Sequence, residues 1–141
     1  MFKDILLPVD LDEKSSWVRA LPTAVDLCLR SGARLHALSV VPEIRRPGVI
    51  EFLPDDYERR VLGEANQRLV SLLSDAVPQS VRTRPIVATG TIYKVIIDTA
   101  DGIPADLIVL ASHRPELSDY LIGPNAARVV RHSSRSVMVV R

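Results

Sequence analysis

The chain has 141 residues, 47% of them hydrophobic and 25% charged, which is the size and make-up of one soluble domain with one core, expected here to span 1–141. Eighteen Lys and Arg against 17 Asp and Glu leave a net charge of +1, too small a field to recruit nucleic acid or an anionic membrane surface. A single cysteine, Cys28, excludes an internal disulfide and a cysteine-based zinc site. The apolar run in "MFKDILLPVD" is too short for a signal peptide or a membrane span, so the cytoplasm is the expected compartment.

"DILLPVD" reads as a strand buried on both faces, closed by proline and aspartate. The polar "LDEKSS" follows, with Ser15 or Ser16 placed to cap a helix entering at Trp17 and running to Ser31, where Gly32 is a good left-handed terminator. Pro22 inside that stretch predicts a late start or a kink. "AVDLCLRSG" makes Cys28 a buried helical thiol. "ARLHALSVVP" is a second strand, in which His36 takes a surface or a core place. "EIRRPGVIEFL" is a loop. In "PDDYERRVLGEANQRLVSLLSDAV", Tyr57, Val61, Ala65, Leu69, Leu72 and Ala76 share one helical face. Pro54 and two aspartates mark that helix's start.

"VRTRPIVATG" alternates like a strand, but Pro85 cannot donate to a ladder and belongs at a sheet edge. "TIYKVIIDTADG" is a third helix ended by Gly102, "ADLIVLAS" a fourth strand, "NAARVVRHS" a fourth helix with His132 as a cation near its C-terminus, and "SVMVVR" a last strand. Strands alternating with helices predict an α/β, Rossmann-like fold: one five-stranded parallel sheet covered on both faces, of order 3-2-1-4-5. That order puts the Pro85 strand at one edge. At the other lie Val137, Met138, Val139 and Val140, an apolar edge that pairing with a second copy across a two-fold axis would cover.

In such a sheet ligands bind beyond the carboxyl ends of the strands, at the switch point between strands 1 and 4. Pro8, Val9 and Asp10 are delivered there from strand 1, with Val40 and Val41 beside them from strand 2. Ala111, Ser112, His113 and Arg114 come from strand 4, and Gly123, Pro124, Asn125 and Ala126 from the start of helix 4. This is an apolar slot, one acid, and a basic loop beside a helix N-terminus, which suits a nucleotide's base, sugar and phosphates. The chain has no G-x-x-x-x-G-K-[ST], no G-x-G-x-x-G and no G-x-S-x-G. Ser112 and His113 are adjacent on an extended segment and point apart, so with Asp119 they make no hydrolase. The three histidines fall on different elements, and Asp12 and Glu13 read as a polar loop, whereas Asp10 at the end of strand 1 points into the crevice, so no metal site emerges beyond a contact of Asp10 with magnesium through bound water.

"ILLPVD", "LSVVP" and above all "ADLIVLASHRPELSDYLIGPNAARVVRHSSRSVMVVR" resemble the universal stress protein family over the whole chain, with "ASHRP" similar to its F-type and G-type members. The resemblance implies an adenine nucleotide alpha hydrolase-like fold, a homodimer through the C-terminal strand, and a stress-response sensor or regulator that binds ATP or a related adenine nucleotide, with magnesium. Members of the nucleotide-binding branch carry Gly-x-x-Gly, nine residues, then Gly-Ser or Gly-Thr; others lack the pattern and do not bind. By position, Pro8, Val9, Asp10 and Val40 would border adenine and ribose. Ala111 and Arg114 stand at the two glycines, eight residues separate Arg114 from Gly123, and Pro124 replaces the hydroxyl residue. Losing a hydroxyl and an N–H removes up to two charge-assisted hydrogen bonds of about 1.5–3 kcal/mol each, while Arg114 brings a fork suited to phosphate. The expectation is weakened binding. The alternative is a nucleotide-free dimeric protein-interaction module, with Ile50, Phe52 and Leu53 as a contact surface for an unnamed protein partner. A slow ATPase has only Asp10 to rely on.

Overall fold

Ile5, Leu6 and Leu7 are fully buried because the strand they form, β1 (Asp4–Pro8), lies in the middle of a parallel sheet with helices on both faces. The computed structural model describes residues 1–43, 53–112 and 123–141. A short 3-10 turn at Lys14–Ser16 leads into α1 (Ala20–Ser31), β2 (Arg34–Val41), α2 (Tyr57–Ala76), β3 (Thr83–Thr89), α3 (Ile92–Gly102), β4 (Leu107–Ala111), α4 (Pro124–His132) and β5 (Ser136–Val140). The five strands run in the order β3-β2-β1-β4-β5 and all pair in parallel, the order expected from the sequence.

Period-two alternation divides the strands' side chains between two cores. Ile5 and Leu7 of the first strand and Val9 just after it, Leu35 and Ala37 of the second, and Leu107 and Val109 of the fourth pack under α1 and α2 with Leu21, Val25, Leu69 and Leu73. Leu6, Leu38, Ile108 and Leu110 face the other way, against Ile96 and Ala100 of α3 and Ala126 and Val129 of α4. Each large apolar side chain so buried contributes about 1.5–3 kcal/mol of transfer free energy. At the bottom of the sheet the Asp106 carboxylate accepts the N–H groups of Lys3 at 2.6 Å and Asp4 at 2.9 Å. These two bonds, Asp4's first, hold its pKa below the usual carboxylate range.

Several local expectations need correction. The first helix begins at Ala20, with Arg19 at its N-cap and no side-chain cap, so neither Ser15 nor Ser16 caps it and Trp17 precedes it. Pro22 then sits at the third helical position, where its missing N–H has no intrahelical partner to lose. On α2 the third buried position is Leu73, and Ala76 is exposed; steps of four through Leu69, Leu73 and Val77 keep the inner face on the sheet. Gly102 is the last residue of α3 and does not terminate it from outside. Gly32 does end α1 as expected, with φ +74° and its N–H on the Cys28 carbonyl at 2.8 Å. His36 belongs to the core: it is 2% exposed, and its Nε2 lies 2.8 Å from Asp4 Oδ1.

Pro85 occupies the β3 edge. Leu35 donates to the carbonyl of Arg82, and successive residues of a parallel strand present their N–H groups to alternate sides. The N–H groups of 83, 85 and 87 therefore point away from β2. The donor that proline lacks is one the sheet does not use.

Candidate functional site

The sheet splits at its carboxyl end. β1 pairs with β2 as far as Pro8↔Leu38, and β4 pairs with β5 as far as Ala111↔Val140, but β1 and β4 pair only through Ile5↔Leu107 and Leu6↔Ile108. Pro8 gives the split a chemical cause. The N–H of Val9 donates to the Leu38 carbonyl at 2.7 Å on the β2 side, so the N–H at position 8 would face β4, and proline has none. The two strands part where that bond would form, at the point where β1 turns towards α1 and β4 towards α4.

On one wall of this opening, Asp10 begins a tight loop. Its N–H donates to Ser16 Oγ at 2.9 Å, Ser16 O–H donates to the Asp10 carbonyl at 3.0 Å, and the Asp12 N–H donates to Asp10 Oδ1 at 3.0 Å. Arg68, from α2, donates to the Leu11 carbonyl and to Asp12 Oδ1, both at 3.0 Å. The 3-10 turn that closes the loop packs against β4.

On the other wall, Ser112 continues β4 by donating to the Val140 carbonyl at 2.8 Å, and its own carbonyl accepts the Gly123 N–H at 2.7 Å. Gly123 is the N-cap of α4, with φ −58°, and its carbonyl accepts the Ala127 N–H at 2.9 Å. Pro124 is the first helical residue. Among the described residues, the N–H groups of Asn125 and Ala126 take no hydrogen bond, and they sit at the positive end of the α4 dipole.

The structure thus puts Pro8 and Asp10 at the carboxyl end of β1, and Ser112, Gly123, Pro124 and Asn125 at the carboxyl end of β4 and the start of α4, on the two sides of the split. Val9 borders it by its main chain, since its side chain is 3% exposed and packs under α1. Ala126 likewise offers its N–H, its methyl being buried with α3. Ala111 and Val40 are half-buried, packed against opposite cores. His113 and Arg114 lie outside the described residues.

Three features escape the sequence reading. Ser16 looks like a helix cap and instead serves Asp10. Arg68 acts on a loop more than fifty residues earlier, which no local pattern announces. A cavity of about 410 Å³ opens on the α2 side of the sheet, between Val41, Leu53, Tyr57, Val61, Leu62 and Thr89. Val41 lines it while Val40, one residue earlier, packs on the α3 side. Among the described residues no group of three or more His, Cys, Asp or Glu is placed to hold a metal ion, and no helix is long and apolar enough to cross a membrane.

A sequence profile of the Universal stress protein family matches residues 1–141. Universal stress protein G of Escherichia coli O157:H7 is 31% identical over 143 residues, covering 100% of both chains. Among solved structures, universal stress protein UspA from Lactobacillus plantarum superposes with a TM-score of 0.71 at 24% identity, covering 99% of this chain and 97% of that one. A universal stress protein solved in complex with cAMP gives a TM-score of 0.64 at 21% identity, over 99% of this chain and 97% of its own. With the sheet order, the split between β1 and β4 and a match from the first residue to the last, the chain belongs to the universal stress protein family.

Proposed function

We propose that the chain is an adenine-nucleotide-binding regulator or sensor of the stress response, taking ATP or a related nucleotide in the opening between β1 and β4. The observation that carries this reading is a held carboxylate, Asp10, on the β1 side of a split sheet, and on the β4 side a helix start where the N–H groups of Asn125 and Ala126 have no partner among the described residues. Sugar hydroxyls suit the first and phosphate oxygens the second. Arg114 follows β4 in sequence and supplies a cation for the same phosphates. Magnesium would arrive with the nucleotide, its protein contact being Asp10 through bound water. The relative in complex with cAMP supports an adenine nucleotide as the ligand class. Among the described residues no nucleophile is hydrogen-bonded to a base beside the split, and the reading is binding without strong catalysis, in the cytoplasm, by a homodimer joined through β5.

Binding is weaker than a full glycine-rich loop would give. The Gly123 N–H is committed to Ser112 and Pro124 has none. One lost charge-assisted bond corresponds to about a tenfold to hundredfold change. This also favours the second reading, a nucleotide-free dimer that works through protein contacts. Denaturing the purified protein and assaying released nucleotide, then titrating ATP with magnesium by calorimetry, separates the two. The expected result is binding in the micromolar to millimolar range; neither released nucleotide nor heat at millimolar ATP would leave only the second reading.

A further inference from the structure

We infer that Ser16 is a positioning residue for Asp10, and through it for the sugar hydroxyls of the nucleotide; this rests on the nucleotide reading above. Ser16 caps no helix: the 3-10 turn has no side-chain cap, and α1 starts four residues later under Arg19. Its hydroxyl instead accepts from the Asp10 N–H at 2.9 Å and donates to the Asp10 carbonyl at 3.0 Å. One side chain therefore holds both main-chain polar groups of a residue six positions away. With Asp10 Oδ1 taken by the Asp12 N–H at 3.0 Å, the backbone and one carboxylate oxygen are both fixed. Oδ2 is left as the oxygen without a partner among the described residues.

A carboxylate held in this way is an acceptor of set direction. A phosphate would be repelled by its charge, whereas a hydroxyl can donate to it. The reciprocal clamp needs a group that accepts and donates at once, which a hydroxyl does and a methyl does not. Ser16 thus acts on the ligand only through the aim of Asp10, and its removal should be felt at the sugar and not at the base or phosphates.

The test compares ATP with 2′,3′-dideoxy-ATP by calorimetry on the native chain, Ser16→Ala and Ser16→Thr, and follows hydrogen exchange of the Asp10 amide. Ser16→Ala is expected to weaken ATP about five- to tenfold, the worth of one neutral hydrogen bond, while changing dideoxy-ATP by less than about twofold. Ser16→Thr should restore ATP binding, and the Asp10 amide should exchange faster in Ser16→Ala alone. Equal weakening of both nucleotides, or unchanged ATP binding, overturns the role of Ser16 and leaves the nucleotide reading in place. If the native chain binds neither nucleotide, both readings fall together, whatever the amide shows about the clamp.

Discussion

Cys28, on the inner face of α1, is 2% exposed, and burial pushes its thiol up to about 11. A thiol in the unfolded chain titrates near 8.5. Above that pH the unfolded chain releases a proton that the folded chain retains, so folding is opposed. The contribution is whole below about pH 8.5 and is lost as pH rises through 11, by about 1–3 kcal/mol in all. Urea unfolding of the native protein at pH 8 and 10.5 should therefore show a larger drop in midpoint than Cys28→Ala does over the same interval; an equal drop in both would remove the thiol as the cause. The burial of Cys28 was legible because its neighbours in "AVDLCLRSG" set the helical face. His36 was less so, since one histidine in a strand suits surface or core alike. What decides it is Asp4, 32 residues earlier in the chain and 2.8 Å away in space. Ser16 misled for a related reason: a serine before a helix has the composition of a cap, and only the path of the chain back to Asp10 shows what its hydroxyl holds.

At the scale of elements, α4 starts within the stretch where the sequence puts a helix start. Pro124 stands at its first position, suited to helix initiation by its fixed φ and harmless to the ladder because that N–H has no intrahelical partner. In the proposed site its effect falls on the ligand. Pro124→Ser returns both an N–H and a hydroxyl to the helix start, and should tighten ATP about tenfold while leaving adenosine unchanged, as read by parallel titrations. Unchanged ATP affinity would show that the helix start does not meet the phosphates. The start of α1 was harder to read, because the chain first makes a 3-10 turn whose polar residues have the composition of a helix cap. The inner face of α2 drifted by one position for a geometric reason. A stripe that steps by three from Leu69 runs to Leu72 and Ala76, whereas the buried positions continue in steps of four through Leu73 to Val77.

At the scale of the whole molecule, the strand order was legible because alternating apolar runs and amphipathic helices leave few right-handed ways to wind a parallel sheet. The split between β1 and β4 was legible in place but not in cause. The switch point follows from strand order, yet the role of Pro8 needs the hydrogen bond of Val9 to show which side its nitrogen faces. The same reasoning applies to the β5 edge. Ser112 donates to the Val140 carbonyl, so Val140 and Met138 turn their main-chain groups to β4, and those of Val137 and Val139 face outward. Val139→Pro would then remove a donor from the edge and none from the β4 ladder. In the proposed dimer this change should give a folded monomer, seen as a halved mass by light scattering with the far-ultraviolet spectrum kept; an unchanged mass would place any dimer contact elsewhere. Pro85 does at β3 what that substitution would do at β5. One border of the sheet lacks an outward donor at its middle and the other keeps its own, so in the proposed dimer β5 is the border with a full set of main-chain groups to offer. Two copies joined edge to edge at β5 would use up that border, and the proposed assembly would end at a pair where a sheet open on both borders would grow into a fibre.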